Sequence, residues 1–160
     1  MTVFGIIGLG SIAKRHVKNI KSINNEARVF GVSSSGNSQN SHDNIEKIID
    51  IEELINLKPK FVIIASPAPF HEKYIDIILE NNIPILIEKP LAHDLESCER
   101  IEAICSKYPS NLIAVGYCLR FLPAALFVKQ YLDQGLLGKL YNVNSIVGQY
   151  LPSWRNDKNY

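Results

Sequence analysis

Short apolar runs alternate with amphipathic stretches from the first residues onward. Residues 3–7 (Val3, Phe4, Gly5, Ile6, Ile7) read as a fully apolar strand ending at Gly8. Residues 11–23 carry Ile12, Ala13, His16, Val17 and Ile20 at helical spacing and predict a helix with one apolar face. The same alternation predicts strands at residues 28–33, 61–65, 84–87 and 112–117. It predicts helices at residues 71–81, 95–107 and 123–134. The last of these opens on Pro123 and is followed by Gly135 and Gly138, a start and a stop that suit a helix. Residues 34–44 are rich in Gly, Ser and Asn and read as a loop, and residues 45–49 and 51–57 as short helical turns.

Continuous Val/Ile/Leu strands separated by helices predict an α/β fold, with a parallel sheet covered on both faces. Right-handed crossovers make that a doubly wound domain. Residues 140–150 differ. Tyr141, Val143, Ser145, Val147 and Gln149 alternate with their neighbours, and no helix follows. That pattern suits an antiparallel strand with one wet face. The expected organisation is therefore a doubly wound domain over residues 1–122 and the start of a second, α+β domain over residues 123–160. An unpaired edge on that last strand invites pairing with another copy, so a homo-oligomer is expected.

Composition narrows the function classes. The chain has 160 residues, 46% hydrophobic and 21% charged, with a formal net charge of +1. This is the profile of a soluble globular chain with no basic face for nucleic acid. No apolar run reaches the roughly 20 residues of a membrane span. Cys98, Cys105 and Cys118 form no CxxC pair, and no metal-ligand spacing is present. Without a secretory leader at Met1–Ile7, these features point to the cytoplasm.

Chemistry concentrates where strands end. Gly8-Leu9-Gly10-Ser11-Ile12-Ala13 follows a strand and opens a helix. In that context Gly8 permits a tight turn, and Gly10 lets backbone approach a pyrophosphate. The N–H groups of Ser11 and Ile12 lie at the positive end of the helix, and Ala13 allows close packing. A dinucleotide is the expected ligand. At the end of the second strand, Val32-Ser33-Ser34-Ser35 carries no acid to hold an adenosine ribose. Hydroxyls at Ser33 and Ser34, with Lys14 or Arg15 as cations, tip the choice between NAD and NADP toward NADP. Glu88-Lys89-Pro90 closes another strand, where open α/β sheets bind ligands. A lysine there can move a proton while hydride passes to nicotinamide, its proton affinity tuned by partial desolvation. His16 lies on the apolar face of its helix and reads as structural.

Five segments in order then resemble the Gfo/Idh/MocA oxidoreductases, the glucose–fructose oxidoreductase and inositol dehydrogenase group. They are Gly5-Ile6-Ile7-Gly8-Leu9-Gly10-Ser11-Ile12-Ala13-x-x-His16, Ala65-Ser66-Pro67-x-x-x-His71, Glu88-Lys89-Pro90, Gly116-Tyr117-x-x-Arg120-Phe121-x-Pro123 and Gln149-Tyr150-Leu151-Pro152-Ser153-Trp154-Arg155. The resemblance implies a Rossmann NAD(P)-binding domain. It also implies hydride transfer to or from a hydroxyl of a sugar-like or cyclitol substrate. By the same resemblance Ser66, Pro67 and His71 lie along the nicotinamide side of the cofactor, Glu88 contacts its ribose, and Lys89 is the catalytic lysine. Arg120 is placed beside nicotinamide and substrate, and Trp154 and Arg155 reach the cofactor from the second domain. In that family an Asp and a His on a second-domain helix complete the chemistry. None of His16, His42, His71 and His93 stands in such a context. The chain is therefore expected to be the cofactor-binding half of a longer enzyme, or else a non-catalytic NAD(P)-binding fragment.

Overall fold

β1 (Val3–Ile7) lies near the middle of a six-stranded parallel sheet and is buried at its last four positions. The computed structural model describes residues 1–34, 44–148 and 150. Around β1 stand β2 (Arg28–Val32), β3 (Lys47–Ile49), β4 (Val62–Ile64), β5 (Ile85–Ile87) and β6 (Ile113–Val115), in the order β3-β2-β1-β4-β5-β6. Both neighbours of β1 pair with it in parallel, Ile6 opposite Gly31 on one side and Ile63 on the other. Strand order reverses beside β1, so the chain winds outward in both directions from that point. Open sheets of this kind place a ligand crevice there, at the carboxyl ends of the strands.

Among the described residues, α1 (Ser11–Ile23), α2 (Ile51–Asn56), α3 (Glu72–Glu80) and α4 (Leu95–Ser106) alternate with the strands along the chain, and α5 (Pro123–Asp133) comes after them in sequence. Alternate strand residues point to opposite faces, which sorts the core into two layers. Phe4, Ile6, Val29 and Ile63 pack with Ala13, Val17 and Ile20 of α1. Ile7, Val32, Ile64 and Ile87 pack with Leu54 of α2, Ile75 and Ile78 of α3, and Ile101 of α4. The i, i+4, i+7 spacing of Ala13, Val17 and Ile20 is the apolar stripe that the first layer requires.

The chain separates into two compact units, residues 1–117 and 118–160. In the second, a 3-10 turn at Cys118–Phe121 precedes α5. Two expectations are corrected. Residues 47–49 form strand β3, not a helical turn. Phe30, Gly31 and Val32 pair with Lys47, Ile48 and Ile49. Three residues are too few to show a period, so the open edge of β2 and the β-branched Ile48 and Ile49 decide. Among the described residues 140–148 and 150 no strand forms. Tyr141, Val143, Ile146 and Val147 are exposed, and no described strand pairs with them. An alternating segment gains little from extended structure without a sheet to join. Among the described residues, no helix is long and apolar enough to cross a membrane.

Candidate functional site

A ladder of backbone hydrogen bonds aligns the carboxyl ends of five strands. Gly8 N–H donates to Val32 O at 2.9 Å, and Ala65 N–H to Ile7 O at 2.7 Å. Glu88 N–H donates to Ile64 O at 2.9 Å, and Gly116 N–H to Ile87 O at 2.7 Å. Ser33, Gly8, Ser66, Glu88 and Gly116 thus fall along one edge, although 108 positions of sequence separate Gly8 from Gly116.

At the centre of that edge the two loop glycines meet opposite demands. Gly8 has φ +84°, and a Cβ there would lie 2.5 Å from Ser66 N and 2.6 Å from Ser66 Cα. Both backbone conformation and packing exclude a side chain. Gly10 has φ −80° and ψ −169°, extended backbone open to any residue. A Cβ at Gly10 would meet nothing within 4 Å among the described residues. The fold therefore asks for no glycine at Gly10. It stands as the N-cap of α1 without a side-chain cap, at a position where Ser, Thr, Asp or Asn usually serves the helix better. The N–H groups of Ser11 and Ile12 belong to this uncapped first turn, at the positive end of the helix dipole.

Ser66, directly beside Gly8, carries the next sign of a ligand. It is 6% exposed, and its Oγ is buried without a hydrogen-bond partner among the described residues. Buried hydroxyls are ordinarily satisfied, so an orphan at a ligand-binding edge is informative. Its backbone is held from below by His71, which is 1% exposed. His71 Nε2 lies 2.7 Å from Ser66 O, and Nδ1 lies 3.0 Å from Leu91 O. Carbonyls only accept, so each ring nitrogen that carries hydrogen donates. His71 meets the edge through the Ser66 carbonyl, while the adjacent Pro67 is exposed.

The Glu88-Lys89-Pro90 turn follows β5, with a cis peptide between Lys89 and Pro90. The Glu88 carboxylate is clamped: His16 Nε2 lies 2.7 Å from Oε1, and Lys89 N–H donates to Oε2 at 3.1 Å. A Cβ at Gly116 would approach the carboxylate atoms at 3.3 Å, so the missing side chain makes room for Glu88. Lys89 itself is exposed, so the desolvation expected of it is not supplied by this unit. The sequence places His16 on the apolar face of α1 as a structural residue, whereas the structure links it to Glu88 across 72 positions. Its place three residues after Ala13 in the first motif was the available signal.

At the end of β2, Ser33 and Ser34 are half-buried. A cavity of about 550 Å³ opens beside Val32, Ser33, Lys47, Asp50, Glu53 and Lys73. Asp50 there already accepts the Glu53 N–H at 2.7 Å as the cap of α2. Lys14 and Arg15 are exposed on α1. Arg120 lies in the 3-10 turn of the second unit, and Trp154 and Arg155 lie outside the described residues. The edge therefore gathers Gly8, Gly10, Ser11, Ile12, Ser33, Ser66, Glu88 and Lys89. Uncapped helix, bare Gly10 and orphaned Ser66 Oγ all fit a dinucleotide.

A doubly wound sheet with this loop defines a dinucleotide-binding domain. The chain belongs to the GFO_IDH_MocA family, described as an oxidoreductase family with an NAD-binding Rossmann fold, whose model matches residues 2–117. Relatives include inositol 2-dehydrogenase 2 of Saccharopolyspora erythraea, 27% identical over 153 residues, covering 89% of this chain and 44% of the relative. Inositol 2-dehydrogenase 1 of the same organism is 32% identical over 146 residues, covering 86% and 43%. Among solved structures, scyllo-inositol dehydrogenase from Lactobacillus casei, bound to NAD(H) and scyllo-inositol, superposes with a TM-score of 0.73. It is 25% identical and covers 87% of this chain and 43% of its own. The chain thus spans less than half the length of these relatives.

Proposed function

We propose that this chain is the cofactor-binding part of an NAD(P)-dependent oxidoreductase that moves a hydride between nicotinamide and the hydroxyl-bearing or carbonyl carbon of a sugar or cyclitol. The observation that carries this reading is Gly10, a glycine with no structural reason that opens an uncapped helix at the ligand edge. Its bare backbone admits a pyrophosphate to the Ser11 and Ile12 N–H groups. Ser66 Oγ and the Glu88 carboxylate then face the nicotinamide half, and Ser33 and Ser34 the adenosine half. A bound nicotinamide supplies the hydride chemistry. Lys89 Nζ holds or moves the proton of the substrate hydroxyl. The inositol relatives support the cyclitol class. The acid-free end Val32-Ser33-Ser34 speaks for NADP(H), and the NAD(H) of the L. casei enzyme speaks for NAD(H). Residues 123–160 read as the start of a substrate and oligomerisation domain, and free thiols suit a reducing cytoplasm.

The test is NAD(P)H formation from myo-inositol, scyllo-inositol and simple aldoses by the protein that carries this chain. Turnover is expected, and Lys89→Ala should abolish it while sparing cofactor binding. Near wild-type turnover in that variant overturns the role of Lys89. Cofactor binding without turnover on any such substrate favours a non-catalytic module.

A further inference from the structure

We infer that His16 is a positioning residue which fixes the Glu88 carboxylate and, through it, ties the phosphate-loop helix to the Lys89 turn. The inference rests on the nucleotide site proposed above. His16 is on the second turn of α1, and its side chain is 17% exposed. Glu88, 12% exposed, is the residue on which three segments converge: α1 through His16, its own turn through the Lys89 N–H, and the chain after β6 through Gly116.

A carboxylate so far withdrawn from water needs donors to replace it. His16 Nε2–H supplies one to Oε1, and the Lys89 amide supplies one to Oε2. A Cβ at Gly116 would crowd the carboxylate at 3.3 Å, so the glycine leaves Glu88 the room to take this position. With one donor on each oxygen, the carboxylate of Glu88 is held in place at both ends. The same bond couples two parts of the site that no other described side-chain hydrogen bond joins. The helix that receives the pyrophosphate becomes fixed relative to the turn that presents Lys89. His16 acts through Glu88, the partner of its Nε2.

The experiment compares the full 160-residue chain with His16→Ala, His16→Gln, Glu88→Ala and the His16→Ala/Glu88→Ala double variant. The readouts are affinity for whichever of NADH and NADPH the wild type binds, and the Lys89 backbone amide signal by ¹⁵N NMR. Glutamine places an amide donor where Nε2 stands. His16→Ala should weaken binding about tenfold, the cost of one hydrogen bond to a charged group. His16→Gln should recover most of that loss, and His16→Ala should add nothing in the Glu88→Ala background. The Lys89 amide should shift in His16→Ala and return in His16→Gln. Wild-type affinity in His16→Ala, no rescue by glutamine, or an equal loss with and without Glu88 overturns the inference. If the wild type binds neither nucleotide, the proposed function fails instead. The Lys89 amide then still decides whether the clamp exists.

Discussion

Replacing each loop glycine with alanine separates what the fold needs from what the ligand needs. At Gly8 a Cβ meets backbone at 2.5–2.8 Å and stands on φ +84°. The left-handed conformation alone costs a non-glycine residue roughly 1–2 kcal/mol. Forcing Ser66 and Ala65 aside adds roughly 1–3 kcal/mol. Gly8→Ala should therefore lose roughly 2–5 kcal/mol of a total stability on the order of 5–15 kcal/mol. At Gly10 an added Cβ meets nothing within 4 Å among the described residues, and the backbone suits any residue. Gly10→Ala should change stability by no more than about 1 kcal/mol, the scale of a poorer N-cap. Its methyl group, however, stands where the pyrophosphate must approach. Two lost amide–phosphate bonds at roughly 1.5 kcal/mol each come to roughly 3 kcal/mol, or roughly 150-fold in affinity. Urea unfolding and nucleotide titration of both variants make the comparison. Gly10→Ala that binds like the wild type, or that unfolds as readily as Gly8→Ala, refutes the reasoning.

Other consequences are open to simple measurement. His71→Ala removes a buried imidazole from two carbonyls and should cost roughly 2–4 kcal/mol in urea unfolding, whereas a loss below about 1 kcal/mol contradicts its structural role. Hydrogen bonds from the Ser97 hydroxyl and then the Ser97 amide hold the Asp94 carboxyl below its usual range. A depressed acid stabilises the fold above its unfolded value, near 3.8, and loses that contribution as pH falls through the lower folded value. The Tm of the wild type should therefore fall more steeply in acid than that of Asp94→Asn, which keeps a cap without the charge; parallel curves overturn this. Iodoacetamide at neutral pH should label exposed Cys118 before Cys105, whose thiol burial pushes up, and mass mapping of a brief reaction would show the reverse order if this is wrong.

Much of the sheet was legible because its strands are buried on both faces and read as unbroken Val/Ile runs. Val62–Ile64 and Ile85–Ile87 stand out by composition and by the turns that bound them. β3 did not, since its three residues are strand only because β2 offers an edge. The segment 140–150 misled in the other direction, because alternation describes a surface and supplies no partner. The site was legible where one local rule carries it, as at Gly8-Leu9-Gly10 and Glu88-Lys89-Pro90. The His16–Glu88 pair was not, because contact across 72 positions depends on the stacking of β1, β4 and β5 and not on any local pattern. The motif marks Ser66, but only the structure shows its hydroxyl buried and without a partner among the described residues.

The central claim is that the edge built by Gly8, Gly10 and Ser66 binds a nicotinamide dinucleotide. Isothermal titration of the 160-residue chain with NADH and with NADPH tests it most directly. A saturable, one-to-one heat with at least one of them, lost in Gly10→Ala, is the predicted result. No heat with either at millimolar concentration, from a chain whose folding is verified by circular dichroism, would contradict it.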